Sequence, residues 1–103
     1  MGSMEKHTAH CKLHIVKALI EAGRVSATTT ATAGARAVGV NTLQGMCDVV
    51  LTLTTKNFYK SMTTHANHRI WQDVYHAELA EGVALYVKLT VIDDLLIVSF
   101  KEL

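Results

Sequence analysis

The sequence predicts an α+β domain with helices packed on one face of a twisted, largely antiparallel sheet. Apolar residues recur at helical spacing through the first half of the 103-residue chain, and they alternate with period two through its last third. No proline interrupts either pattern. Helices first and strands last is the order expected when helices are segregated to one face of an antiparallel sheet. Met1-Gly2-Ser3 reads as an expression scar ahead of a native Met4, which leaves residues 4–103 as a single domain.

The first helix is expected from Thr8 to Ala22, on the spacing of Leu13, Val16, Leu19 and Ile20. Thr8 serves as its N-cap, and Gly23 stands where a helix commonly stops in the left-handed conformation. Arg24 to Thr28 reads as a short strand. Thr29 to Val40 is rich in Ala and Thr and is taken as a weak helix, because Ala31, Ala33, Ala35 and Ala37 favour one and no β pattern competes. From Thr42, a cap, to Leu53 the residues Leu43, Met46, Val49, Val50 and Leu53 make one apolar helical face. A further short helix is expected over Lys56 to Ser61, then a loop over Thr63 to Asn67 and a strand over Ile70 to Tyr75. After Gly82 comes a hairpin with a two-residue turn at Asp93-Asp94.

Within that hairpin, Val83, Leu85, Val87, Leu89 and Val91 form one apolar set, and Leu96, Val98 and Phe100 form the other. If both sets face the core, Tyr86, Lys88, Ser99 and Lys101 gather on the opposite side. A tyrosine and lysines on an open sheet face suit a polyanion. Spacing alone is equally consistent with an interfacial tyrosine and a lysine guarding the sheet. The faces of Ile70 to Tyr75 stay open on pattern, with Trp71 assigned to the core as a lone strand tryptophan. Burying Trp71 would place Gln72 beside Tyr86 and Lys101. Phe58-Tyr59-Lys60-Ser61-Met62 precedes that strand, and Lys60 would overhang the same face.

Composition narrows the function. A net charge of +1 gives no global field for nucleic acid, so any polyanion site is a local patch. No apolar run reaches membrane-span length and no signal peptide opens the chain, so the expected place is the cytoplasm. Cys11 and Cys47 make no CxxC pair and no disulfide framework. Neither His7, His10 and His14 nor His65 and His68 completes a metal-ligand set, and no metal or other cofactor is expected. Phosphate loops, dinucleotide fingerprints and GxSxG elbows are absent.

Several stretches, taken in order, resemble the MqsR (motility quorum-sensing regulator) family of bacterial toxins. They are Gly45-Met46-Cys47, Phe58-Tyr59-Lys60-Ser61-Met62-Thr63-Thr64, Ile70-Trp71-Gln72-Asp73-Val74-Tyr75 and Leu96-Ile97-Val98-Ser99-Phe100-Lys101-Glu102. Met4-Glu5-Lys6, Val16-Lys17 and Ala22-Gly23 agree as well. The resemblance implies a RelE-like fold and an mRNA interferase of a type II toxin–antitoxin system. Such a protein cleaves single-stranded mRNA at GC-containing sites without the ribosome and is held inactive by a cognate antitoxin. It further implies catalytic roles for Lys60, Gln72, Tyr86 and Lys101, with Tyr59 and Met62 beside Lys60 as RNA contacts, and it is what turns Gln72 to the open face. Lys88, placed on that face by spacing, is added as a further RNA contact. The chain departs from the family at Asp93, where a histidine is expected, and Asp93 is kept as an auxiliary site residue or a turn residue. The competing functions are a catalytically degenerate RNA binder and a pure antitoxin-binding protein.

Overall fold

The computed structural model describes residues 3–103. Its elements are β1 (Glu5–Lys6), α1 (Leu13–Glu21), β2 (Val25–Ala27), α2 (Thr29–Ala37), α3 (Leu43–Leu51), β3 (Phe58–Thr63), β4 (Trp71–Glu78), β5 (Ala84–Ile92) and β6 (Asp94–Glu102). The strands form one six-stranded sheet in the order β1-β3-β4-β5-β6-β2. Every pairing is antiparallel except that of β2 with β6. Val16, Ala31, Ala35, Met46 and Val50 of the three helices share one core cluster with Tyr75, Ala77, Leu85, Val87, Leu89, Leu95, Ile97 and Phe100 of the sheet. The expected α+β architecture is therefore present, and the RelE-like arrangement implied by the resemblance is compatible with it.

The helix starts follow local chemistry. The hydroxyl of Thr28 accepts from the Ala31 amide at 3.0 Å, and that of Thr42 accepts from the Gly45 amide at 3.0 Å. α1 begins later than expected, with Lys12 rather than Thr8 at its N-cap. The amides of His10 and Cys11 donate instead to the buried Asp73 carboxylate, each at 2.9 Å. Ser61 Oγ donates to the same carboxylate at 2.6 Å, so Asp73 pins the 8–12 segment to the sheet and delays the helix. The stop at Gly23 holds, with φ +73°.

Three further expectations need correction. Lys56 to Ser61 is not a helix. Thr54 and Asn57 close a capping box around a single 3-10 turn, Thr55–Asn57, and the chain then enters β3. Phe58 finds a cross-strand partner in Tyr75, Tyr59 falls at the register shift that follows, and strand pairing overrides the weak helical pattern. Second, β4 runs on to Glu78, beyond the expected end at Tyr75. Third, the hairpin tip is tighter than a two-residue turn: Asp93 alone, at φ +64°, separates Ile92 from its cross-strand partner Asp94.

That tighter tip shifts the register by one residue. Leu95 and Ile97 therefore enter the core, not Leu96 and Val98. An irregularity opposite Lys88 and Leu89 absorbs Val98 and restores the phase. Phe100 consequently still faces the core, while Ser99 and Lys101 still pair with Lys88 and Tyr86.

α2 sits unusually close to β6. A Cβ placed on Gly34 would lie 2.1 Å from the Phe100 carbonyl oxygen, a separation that only glycine permits. Thr28 Oγ1 donates to the Val98 carbonyl at 2.9 Å. Past its three-residue pairing with β2, the outer edge of β6 is thus met by α2.

Candidate active site on the open sheet face

Directly paired residues on neighbouring strands point to the same face, and alternate residues along a strand share a face. These rules build the site in three rows along β4. His76 pairs with Tyr86, and Tyr86 with Lys101. Two residues back, Lys60 pairs with Val74, Val74 with Lys88, and Lys88 with Ser99. Two further back, Glu5 pairs with Met62, and Met62 with Gln72. All three rows lie on the face away from the helices, because Asp73, Tyr75 and Ala77 between them are buried on the helix side.

Lys60, Met62, Gln72, Tyr86, Lys88 and Lys101 therefore occupy one face, as expected. Tyr59 reaches it by a different route. The register slips between Phe58 and Lys60, so Phe58 packs edge-on against Tyr75 at 5.5 Å. Tyr59, half exposed, stacks instead on His76 at 4.3 Å with the planes 20° apart. Re-aiming a side chain is what such a bulge does. Trp71 lies on the helix side, as expected, yet it is only half-buried. His10 stacks on it at 5.7 Å and the Lys6 ammonium sits 4.1 Å from its ring.

The lysines converge on the aromatic rings. The Lys101 ammonium is 5.2 Å from the Tyr86 ring and that of Lys88 is 5.9 Å, while Lys60 lies 5.5 Å from the Tyr59 ring. Beneath them Val74 is fully buried although it belongs to the open face, so the long side chains close over it. One acid enters the patch: Glu5 accepts a hydrogen bond from Lys60.

The protonation states follow from these neighbours. The hydrogen bond to Glu5 holds Lys60 above the ordinary ammonium range. Burial, and then the Lys101 and Lys60 charges, push Lys88 down. Burial raises the Tyr86 phenol although Lys60 pulls the other way, so at neutral pH it remains a hydrogen-bond donor. A cationic patch with a protonated phenol at its centre can hold an anion and offer it a proton. Burial raises both thiols, Cys11 and Cys47, so neither is poised as a thiolate nucleophile. Among the described residues, no three His, Cys, Asp or Glu side chains gather as metal ligands.

Asp93 is not brought to the Tyr86 row of the patch. It occupies the hairpin tip, seven residues along β5 from Tyr86, a span of roughly 20 Å at ordinary strand rise. Arg24 holds the tip through the Asp93 carbonyl at 3.3 Å and the Asp94 carboxylate at 2.7 Å.

Two residues of the patch escaped the sequence reading. His76 continues the period-two series from Gln72 through Val74, but ending the strand at Tyr75 hid it. Glu5 lies on a strand of two residues, too short to leave a pattern.

Known proteins resemble this chain over almost its whole length. Residues 8–102 match the family described as "Motility quorum-sensing regulator, toxin of MqsA". The chain is also 50% identical over 99 residues to the mRNA interferase toxin MqsR of Escherichia coli (strain K12), an alignment covering 96% of this chain and 99% of that protein. A match running from ahead of α1 to the end of β6, with half the positions shared with that relative, makes this chain a member of the MqsR toxin family.

Proposed function

We propose that the chain is an mRNA interferase toxin: a ribosome-independent endoribonuclease that cleaves single-stranded mRNA in the cytoplasm, selectively at GC-containing sites. A cognate antitoxin neutralises it. The observation that supports this reading most strongly is the gathering of Lys60, Gln72, Tyr86 and Lys101 on one uncovered face. Family membership supplies the reaction class. Among the described residues no helix is long and apolar enough to cross a membrane.

The chemistry these side chains suit is attack of the ribose 2′-oxygen on the adjacent phosphorus. The 2′-hydroxyl gives up its proton as the new bond to phosphorus forms, the bond from phosphorus to the 5′-oxygen breaks, and the 5′-oxygen takes up a proton, leaving a cyclic phosphate and a 5′-hydroxyl. Lys60 and Lys101 contact the phosphoryl oxygens as their charge grows, the kind of stabilisation that usually dominates such sites. The cost of crowding Lys88 against Lys60 and Lys101 is relieved when a polyanion arrives. Tyr86, held protonated by burial, donates to the same oxygens or to the leaving 5′-oxygen. Gln72 fixes a base edge or the phosphate through its amide. Tyr59 stacks on an unpaired base, with Met62 beside it, a contact worth about 1–3 kcal/mol per base in single-strand binders. Asp93 serves the turn.

The test is incubation of the purified chain with a defined single-stranded RNA in excess chelator, followed by analysis of the fragment ends. Cyclic phosphate and 5′-hydroxyl ends are expected. Salt-sensitive binding without any cleavage would replace the nuclease with a degenerate RNA-binding relative.

A further inference from the structure

We infer that His76 is an RNA-contacting residue of this site, a phosphate-binding group whose charge makes RNA affinity depend on pH near neutrality. The inference rests on the nuclease reading, since it names a further contact of the same site.

The geometry comes first. His76 is half-buried on the open face, paired with Tyr86 across the strands, its ring 6.3 Å from that ring and stacked at 4.3 Å on Tyr59. The backbone of His76 is anchored to the turn before β3. Asn57, which closes the capping box before β3, donates its side-chain amide to the His76 carbonyl at 3.0 Å. The turn that leads to the Tyr59 bulge is thereby tied to the strand carrying His76. Among the described residues the ring nitrogens of His76 have no hydrogen-bond partner, so both are left for a ligand.

Charge comes next. The groups facing His76 are Tyr59 and Lys60 on β3, Tyr86 and Lys88 on β5 and Lys101 on β6. Lys56 lies on the adjoining turn, Glu78 two residues along the same strand, and Glu5 on Lys60. Among these side-chain types imidazole alone ordinarily titrates close to neutral pH, at about 6.5. A phosphate seated among Lys60, Lys88 and Lys101 favours the imidazolium over the neutral ring, so RNA binding takes up a proton. By linkage the affinity must then rise as pH falls.

The experiment measures binding of a single-stranded RNA carrying 2′-O-methyl riboses, which cannot be cut through the 2′-oxygen, between pH 5.5 and 8.5 and at several salt concentrations. For the unsubstituted chain the affinity should rise several-fold to tenfold toward pH 5.5. One more neutralised phosphate should also steepen the logarithmic salt slope by about 0.7. His76→Gln should bind as the unsubstituted chain does at pH 8.5 and lose both trends. His76→Arg should bind tightly at every pH and keep cleaving RNA with free 2′-hydroxyls. His14→Gln, on α1 away from the patch, should leave both trends intact. Equal pH dependence in His76→Gln would overturn the inference. A His76→Arg variant that binds normally but no longer cleaves would also overturn it, by making His76 a proton acceptor rather than a charge. Failure of the unsubstituted chain to bind RNA at any pH would instead sink the nuclease reading itself, so the two failures are distinguishable.

Discussion

Tyr75 and Tyr86 stand on adjacent strands of one sheet and face opposite ways. Tyr75 is buried among Phe58, Val87 and the helices, and burial drives its phenol far above the ordinary range. Tyr86 is ringed by lysines on the side that no helix covers, and its phenol is raised less by burial than it would be without Lys60. The difference is one of parity along a strand. Residues of one parity supply the free energy that holds the sheet together, and their immediate neighbours supply the charges that it presents. Packed and charged side chains are therefore interleaved along the chain but separated in space, and substitutions one residue apart should act on different quantities.

The sharpest way to break that separation is on β6. Phe100→Ala removes a fully buried ring and should cost about 3–5 kcal/mol in denaturant unfolding, with activity per folded molecule preserved. Its neighbour Lys101→Ala, like Tyr86→Phe, should leave the unfolding curve in place and slow cleavage by about a hundred- to a thousandfold. Wild-type rates in both would dissolve the assignment of the open face. Gly34→Ala tests whether the faces communicate. Its methyl must displace the Phe100 carbonyl or α2, at a cost of about 1–3 kcal/mol, and shifting β6 should lower the cleavage rate as well.

The two tyrosines also differ in what alkali does to them. A phenol raised in the folded chain contributes stability that is intact below the unfolded value, near pH 10, and is lost as pH climbs from there toward the folded value. Unfolding measured across that interval should fall less steeply in Tyr75→Phe than in the unsubstituted chain, and Tyr86→Phe should change it less. The smallest effect is expected at Glu5, half exposed on Lys60. Glu5→Gln frees that lysine and should tighten RNA binding by no more than about fivefold, the scale of an exposed ion pair. Tighter binding than that would mean that Glu5 actively guards the site.

The sequence revealed what local periodicity encodes. The capped helices α2 and α3 and the alternation of β5 are written in consecutive residues, so Tyr86 and Lys88 were placed on the open face from spacing. What was hidden depends on partners distant in the chain. Phe58 and Tyr59 look helical until β3 forms against β4, and the bulge that turns Tyr59 onto His76 exists only in that pairing. On β6 the expected apolar set failed at Leu96 and Val98, yet Lys101 was still assigned correctly. The tighter tip and the irregularity at Val98 are two phase errors that cancel. His76 was lost simply because a strand end cannot be read from pattern to within a few residues.

The close seat of α2 against β6 bears on how this protein behaves at high concentration. An open sheet has two margins, and an unpaired margin invites a second molecule to add its own strand. Here one margin is closed by a strand of three residues and then by the helix resting on the Phe100 carbonyl, and the other carries a strand of only two. Neither offers a long template for edge-to-edge growth. The uncovered face can thus stay open to solvent while the margins discourage the chain from polymerising through its own backbone.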